Sequence, residues 1–94
     1  MLDVTERYSQ AHYFKGYCEN LKGNPRGAIN EIEKAIQLDP FNPDYMVALT
    51  RLYLFIGDVK NSQKWFSELE LTYPQNSEIE GLTSELMKLT QNFN

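Results

Sequence analysis

An all-α fold of about five helices is what this sequence predicts, on three observations. Gly23, Ala28, Ile32, Ala35 and Pro40 recur at one constant offset as Gly57, Ser62, Phe66, Leu69 and Pro74. Each copy is punctuated alike, by a glycine, a polar cap and a proline. Apolar residues fall at spacings of three and four, and no stretch alternates apolar and polar between hairpin turns. A unit of roughly 34 residues cannot bury its apolar side alone, so neighbouring units are expected to stack and to leave an extended concave surface.

The first helix is expected from near Asp3 or Thr5 to Leu21, with Ala11, Phe14, Cys18 and Leu21 as its apolar stripe and Gly23 as its end. Asn24 offers a side-chain cap to the second helix, and Pro25 takes the first helical position, where its missing N–H has no partner to lose. Ala28, Ile29, Ile32, Ala35 and Ile36 form the stripe of that helix, which stops before Pro40. Asn42 and Pro43 repeat the same start for a third helix, with Tyr45, Ala48, Leu52 and Phe55 on its seam. A second stripe, Met46, Leu49 and Tyr53, predicts burial of this middle helix on two sides. Phe41, just ahead of the cap, is read as a hydrophobic staple.

Gly57 closes the third helix as Gly23 closes the first, and Asp58 caps a fourth carrying Ser62, Phe66, Leu69 and Tyr73. A fifth is expected to begin at Ser77, whose hydroxyl and the Glu80 carboxylate form a capping box, with Ile79, Leu82, Leu86 and Leu89 as its stripe. Counterparts of the second stripe in the outer helices are mostly polar: His12, Lys15 and Glu19 in the first, Glu80, Thr83 and Met87 in the last. End units of a stacked array need a wettable outer side, so the array is expected to begin and end within this chain. The alternative is a piece of a longer array.

Ninety-four residues is one small domain, with a modest core. A net charge of −4, with nine basic residues spread singly, offers no phosphate-binding stripe, so nucleic acid is not expected as a ligand. The longest apolar run, Leu52 to Ile56, falls far short of the roughly 18 residues a membrane span needs, and no segment resembles a signal peptide. A soluble, cytoplasmic protein with no membrane insertion is the default expectation. Cys18 is the single cysteine, which excludes an internal disulfide and a cysteine-based metal site.

Helix pairs with Gly16, Gly23, Ala28, Ile32, Ala35 and Pro40 in one unit and Leu49, Tyr53, Gly57, Phe66 and Pro74 in the next resemble tetratricopeptide repeats. The resemblance covers about residues 9–76, as repeats 9–42 and 43–76. Residues 77–94 resemble the solvating helix that closes such arrays, which makes 1–94 one repeat domain. It implies a right-handed solenoid of antiparallel helices. Thr50, Ser62 and Leu69 depart from the family's small residues, and His12, Lys15 and Glu19 stand where large apolar ones are usual.

In that family the first helix of each pair lines the concave surface. By register this places Tyr13, Val47 and Gly81 in one column, Tyr17, Arg51 and Glu85 in the next, then Asn20, Leu54 and Lys88. The resemblance thus implies a protein-binding adaptor that takes a peptide or helix segment of a partner on Tyr13, Tyr17, Asn20, Val47, Arg51 and Leu54. Tyrosine and arginine bury large area while keeping a polar handle, so Tyr13, Tyr17 and Arg51 carry the expectation. The plainer reading is that they only join the two units, with Arg51 paired to Glu85. Some members grip acidic chaperone tails through Lys and Asn; the matching positions here are Tyr13, Tyr17, Ala48, Glu78 and Leu82, which disfavours that ligand. A structural alternative is a self-associating spacer, a homodimer paired through an outer side with Trp65; burial of Trp65 against the fifth helix is preferred.

Catalysis is not expected. His12, the only histidine, lies about 240° round the helix from Cys18, so the two cannot act as base and nucleophile, and it is read as a surface residue. Glu31/Glu33, Glu68/Glu70 and Glu78/Glu80 are two apart, on different helix faces. No phosphate-cradling loop or metal-ligand cluster occurs, and no cofactor is implied.

Overall fold

The computed structural model describes residues 4–91, and these form five helices: α1 (Val4–Leu21), α2 (Pro25–Leu38), α3 (Pro43–Phe55), α4 (Val59–Thr72) and α5 (Ile79–Gln91). Asp3 and residues 92–94, which the expected first and closing helices take in, lie outside the described residues. No strand occurs among the described residues. α1 pairs with α2 and α3 with α4, α2 packs on α3, and α5 lies mainly on α4 with a lighter contact to α3.

Local sequence sets these boundaries. The Asn24 Oδ1 accepts from the Gly27 N–H at 3.0 Å, the Asn42 Oδ1 from the Asp44 N–H at 2.9 Å, and the Asp58 Oδ1 from the Asn61 N–H at 3.2 Å. Each satisfies a helix-start donor that has no intrahelical partner. α1 and α3 end in the same double bond: Asn24 N–H to Glu19 carbonyl with Gly23 N–H to Asn20 carbonyl, then Asp58 N–H to Tyr53 carbonyl with Gly57 N–H to Leu54 carbonyl. Gly23 and Gly57 hold φ of 83° and 81° at these points, the left-handed backbone the motif requires.

The start of α5 differs from the expectation. Asn76, not Ser77, organises it: the Asn76 Oδ1 accepts from the Glu78 N–H at 2.8 Å and its carbonyl from the Ile79 N–H at 3.2 Å. This side-chain turn serves the Glu78 and Ile79 N–H groups in place of a Ser77–Glu80 box, and the helix begins at Ile79.

The core is built chiefly by α2 and α3. Ile29, Ile32 and Ile36 meet Met46, Leu49 and Leu52, closed by Leu69 from α4 and Leu82 from α5. Met46 and Leu49 are 2% and 0% exposed and Tyr45 is 2%, so α3 is buried on two sides as its double stripe predicts. Phe55 alone leaves that seam, standing out at 77% exposure because the chain turns away at Gly57. Phe41 is not a staple; its ring is exposed, and its contribution is a backbone carbonyl that accepts from the Tyr73 hydroxyl.

α1 packs through a different side from the expected one. Ala11, Phe14, Cys18 and Leu21 all face outward, while Ser9 and Gly16 are buried. Small residues let α1 approach α2 closely, and a Cβ at Gly16 would sit 2.8 Å from Ile32 Cγ1 and 3.0 Å from the Ala28 carbonyl oxygen. Thr50 and Ser62 occupy the corresponding crossing of α3 and α4, both fully buried. Their hydroxyls are accommodated there, since Thr50 Oγ1 donates to the Met46 carbonyl at 2.8 Å and Ser62 Oγ to the Thr50 carbonyl at 2.9 Å.

His12, Lys15 and Glu19 do not form an outer rim. Glu31 of α2, 8% exposed, collects the His12 Nδ1 at 2.8 Å, the Lys34 Nζ at 3.3 Å and the Lys15 Nζ at 3.6 Å. Glu19 accepts from Asn24 at 2.8 Å and lies 3.8 Å from Lys22. His12 is therefore a half-buried member of a polar cluster joining α1 to α2, rather than a free surface residue.

Candidate binding groove

α1 and α3 face each other across a gap and touch where Ser9 and Tyr13 of α1 meet Tyr45 of α3. Tyr13 and Tyr45 seal the floor, their ring centroids 5.1 Å apart at 31°. The Ser9 hydroxyl donates to the Glu6 carbonyl at 2.9 Å, which spends its one proton, so Tyr45 is the donor in the 3.2 Å bond between the two hydroxyls. Beside this seal opens a concave cavity of about 750 Å³. Tyr13, Gly16, Tyr17 and Asn20 of α1 form one wall, Asp44, Val47, Ala48, Arg51, Leu52 and Phe55 of α3 the other, with Ile32 beneath and residues 76–78 across one end.

The expected site residues fall in this region with different roles. Tyr13, Tyr17, Asn20, Val47 and Arg51 line the cavity together. Val47, at 9% exposure, is floor rather than rim, whereas Tyr17 is 54% exposed. Leu54 stands apart, in an adjoining hollow of about 370 Å³ with Glu85 and Leu89. Arg51 and Phe55 border both spaces and form the ridge between them. Arg51 pairs with Glu78, not with Glu85. Both partners are about half exposed, so solvent screens the pair and it orients the guanidinium more than it stabilises the fold.

Charge in the groove is uneven. Burial first, then the Asp44 carboxylate and the neighbouring Tyr45 and Tyr17, push the Tyr13 phenol above its ordinary value, so it remains a neutral hydrogen-bonding group. On the opposite flank of α3, burial and a 2.8 Å bond to Glu33 push Tyr53 up to about 12. Asp58 is held below the usual carboxylate range by its bonds to Asn61, which suits its capping role.

Asp44 and Phe55 belong to the groove though the register columns include neither, and Glu78, expected only as a position matching the carboxylate-gripping set, lines it as well. Asp44 and Glu78 are equivalent positions of successive repeats, so one further column, a turn before Tyr13 and Val47, locates both. Trp65 is half-buried against the core with the Lys64 ammonium 5.2 Å from its ring, so it is not an open outer anchor. Among the described residues no group of three His, Cys, Asp or Glu could hold a metal, and no helix is long and apolar enough to cross a membrane.

Comparison with known proteins agrees with this architecture. The tetratricopeptide repeat family model matches residues 21–86. No curated protein matches the chain.

Proposed function

From the premise that this chain belongs to the tetratricopeptide repeat family, whose repeats mediate protein–protein interaction, we propose that it is a non-catalytic adaptor taking a peptide or helical segment of a partner in the groove between α1 and α3. The observation that carries this reading is the pairing of uncovered rings with a fixed frame. Tyr17 and Phe55 are 54% and 77% exposed at the lip, while Val47, Ala48 and Leu52 beneath them belong to the rigid middle helix.

A rigid groove loses little freedom on binding, so the cost of ordering falls mainly on the partner. Tyr13 and Tyr17 offer area with a polar tip, Arg51 a forked donor beside Glu78, and Asn20 an amide at the far end. Such a surface suits a segment with two apolar anchors a turn apart and backbone groups left for hydrogen bonds.

Affinity capture with wild-type, Tyr17→Ala and Arg51→Ala baits tests this. A partner retained by wild type should be lost or weakened by at least about 1 kcal/mol, near fivefold, in both variants with helicity unchanged. Equal capture by all three refutes the groove as the binding surface.

A further inference from the structure

The outward side of α1 is a second surface, unrelated to the groove. Val4, Tyr8, Phe14 and Leu21 are 65, 61, 62 and 70% exposed, with Ala11 and Cys18 open between them. Spacings of four, three, three, four and three keep all six on one side of the helix. Taking a fully exposed ring as on the order of 200 Å², the open apolar area is roughly 500 Å², the size at which a patch on a monomer is usually functional.

The molecule itself shows what this register accepts. One repeat further on, Tyr45, Ala48 and Leu52 stand where Ala11, Phe14 and Cys18 stand in α1, and there the preceding helix pair covers them: Tyr45 is 2% and Leu52 7% exposed, with Tyr13 of α1 against Tyr45. α3 has a second stripe, Met46, Leu49 and Tyr53, for the other helix of that pair. α1 has none, because His12, Lys15 and Glu19 are tied to Glu31 and Asn24. Its open face is therefore one helix wide.

Charge narrows the occupant further. Arg7, Lys15 and Lys22 lie within about 60° of the stripe's centre, whereas Glu6 and Glu19 lie about 90° or more away. Lys15 and Lys22 remain 66% and 71% exposed; Lys15 shares Glu31 with His12 and Lys34, and Lys22 lies 3.8 Å from Glu19. In a protein of net charge −4 this arc of α1 carries three cations and no carboxylate. A second copy offering the same stripe would set one positive border on another. We propose that the outward face of α1 docks a single amphipathic helix of a partner protein whose apolar seam is bordered by Asp or Glu.

Two synthetic helical peptides with the same leucine seam, one bordered by glutamate and one by lysine, test this by fluorescence anisotropy. The glutamate peptide is expected to bind about tenfold tighter or more, with the preference shrinking as salt rises. Phe14→Ser and the double change Arg7→Glu, Lys15→Glu should each abolish that binding, whereas Tyr17→Ala should leave it intact, which separates this face from the groove. Phe14 is exposed, so its replacement leaves the fold in place, as circular dichroism would verify. No peptide preference, or loss on Tyr17→Ala, overturns the proposal. So does binding to anionic phospholipid vesicles in place of the peptides, or a dimer in sedimentation that Phe14→Ser dissociates.

Discussion

Gly16 shows how one residue sets the spacing of a hairpin. α1 and α2 cross there so closely that a methyl group would press on the Ala28 carbonyl and Ile32. Gly16→Ala is expected to cost on the order of 1–3 kcal/mol, read as a lower urea midpoint, because a backbone carbonyl cannot swing aside as a side-chain tip can. An unchanged midpoint would mean that the crossing is looser than described. Glu31 acts at the same scale through charge. The His12 hydrogen bond, followed by Lys34 and Lys15, holds its carboxyl below the ordinary 4.5 against the opposing effect of burial. The unfolded chain therefore takes up this proton at higher pH than the folded one, so the stabilisation is complete above 4.5 and is lost as pH falls through the folded value. Glu31→Gln should flatten that acid limb in urea titrations run at decreasing pH. A limb as steep as wild type would assign the acid sensitivity to other carboxylates.

At the scale of the element, helix ends were legible because their chemistry is local. Asn24, Asn42, Asp58, Gly23 and Gly57 act within a few residues of themselves, and each does what its residue type and position announce. Gly57→Val is accordingly expected to cost at least about 1 kcal/mol, since a branched side chain is strained at positive φ. A melting temperature equal to wild type would mean that the turn re-forms without a left-handed residue. α1 was misread for a reason equally physical. Helical spacing shows that apolar residues share a face, but not that the face is covered. Ser9 and Gly16, which do the packing, carry little hydrophobic signal. The clue present in the sequence was Gly16 standing one repeat ahead of the buried Thr50. Asn76 likewise stands in place of the Ser77–Glu80 pattern because its side chain closes a turn onto the Glu78 N–H, ahead of the donors that pattern would use.

For the whole molecule, the repeat period carried the most information. It predicted the stacking of α3 on the first hairpin and brought five of the six expected contact residues to one cavity, leaving Leu54 in the neighbouring one. Asp44 lies one turn ahead of the first register column, in the row that holds Glu78, and Phe55 escapes notice because a seam position at a helix end need not be covered. Repeat proteins bind through surfaces that exist only while neighbouring units nest, so the groove is as sound as the contact between α1 and α3. That contact has a reporter in Tyr13 and Tyr45, distant in the chain, whose ring centroids lie 5.1 Å from each other. Nuclear Overhauser measurements between these two rings in solution should give clear cross-peaks. Their absence, with both helices still formed, would contradict the nesting of the hairpins and the groove built on it.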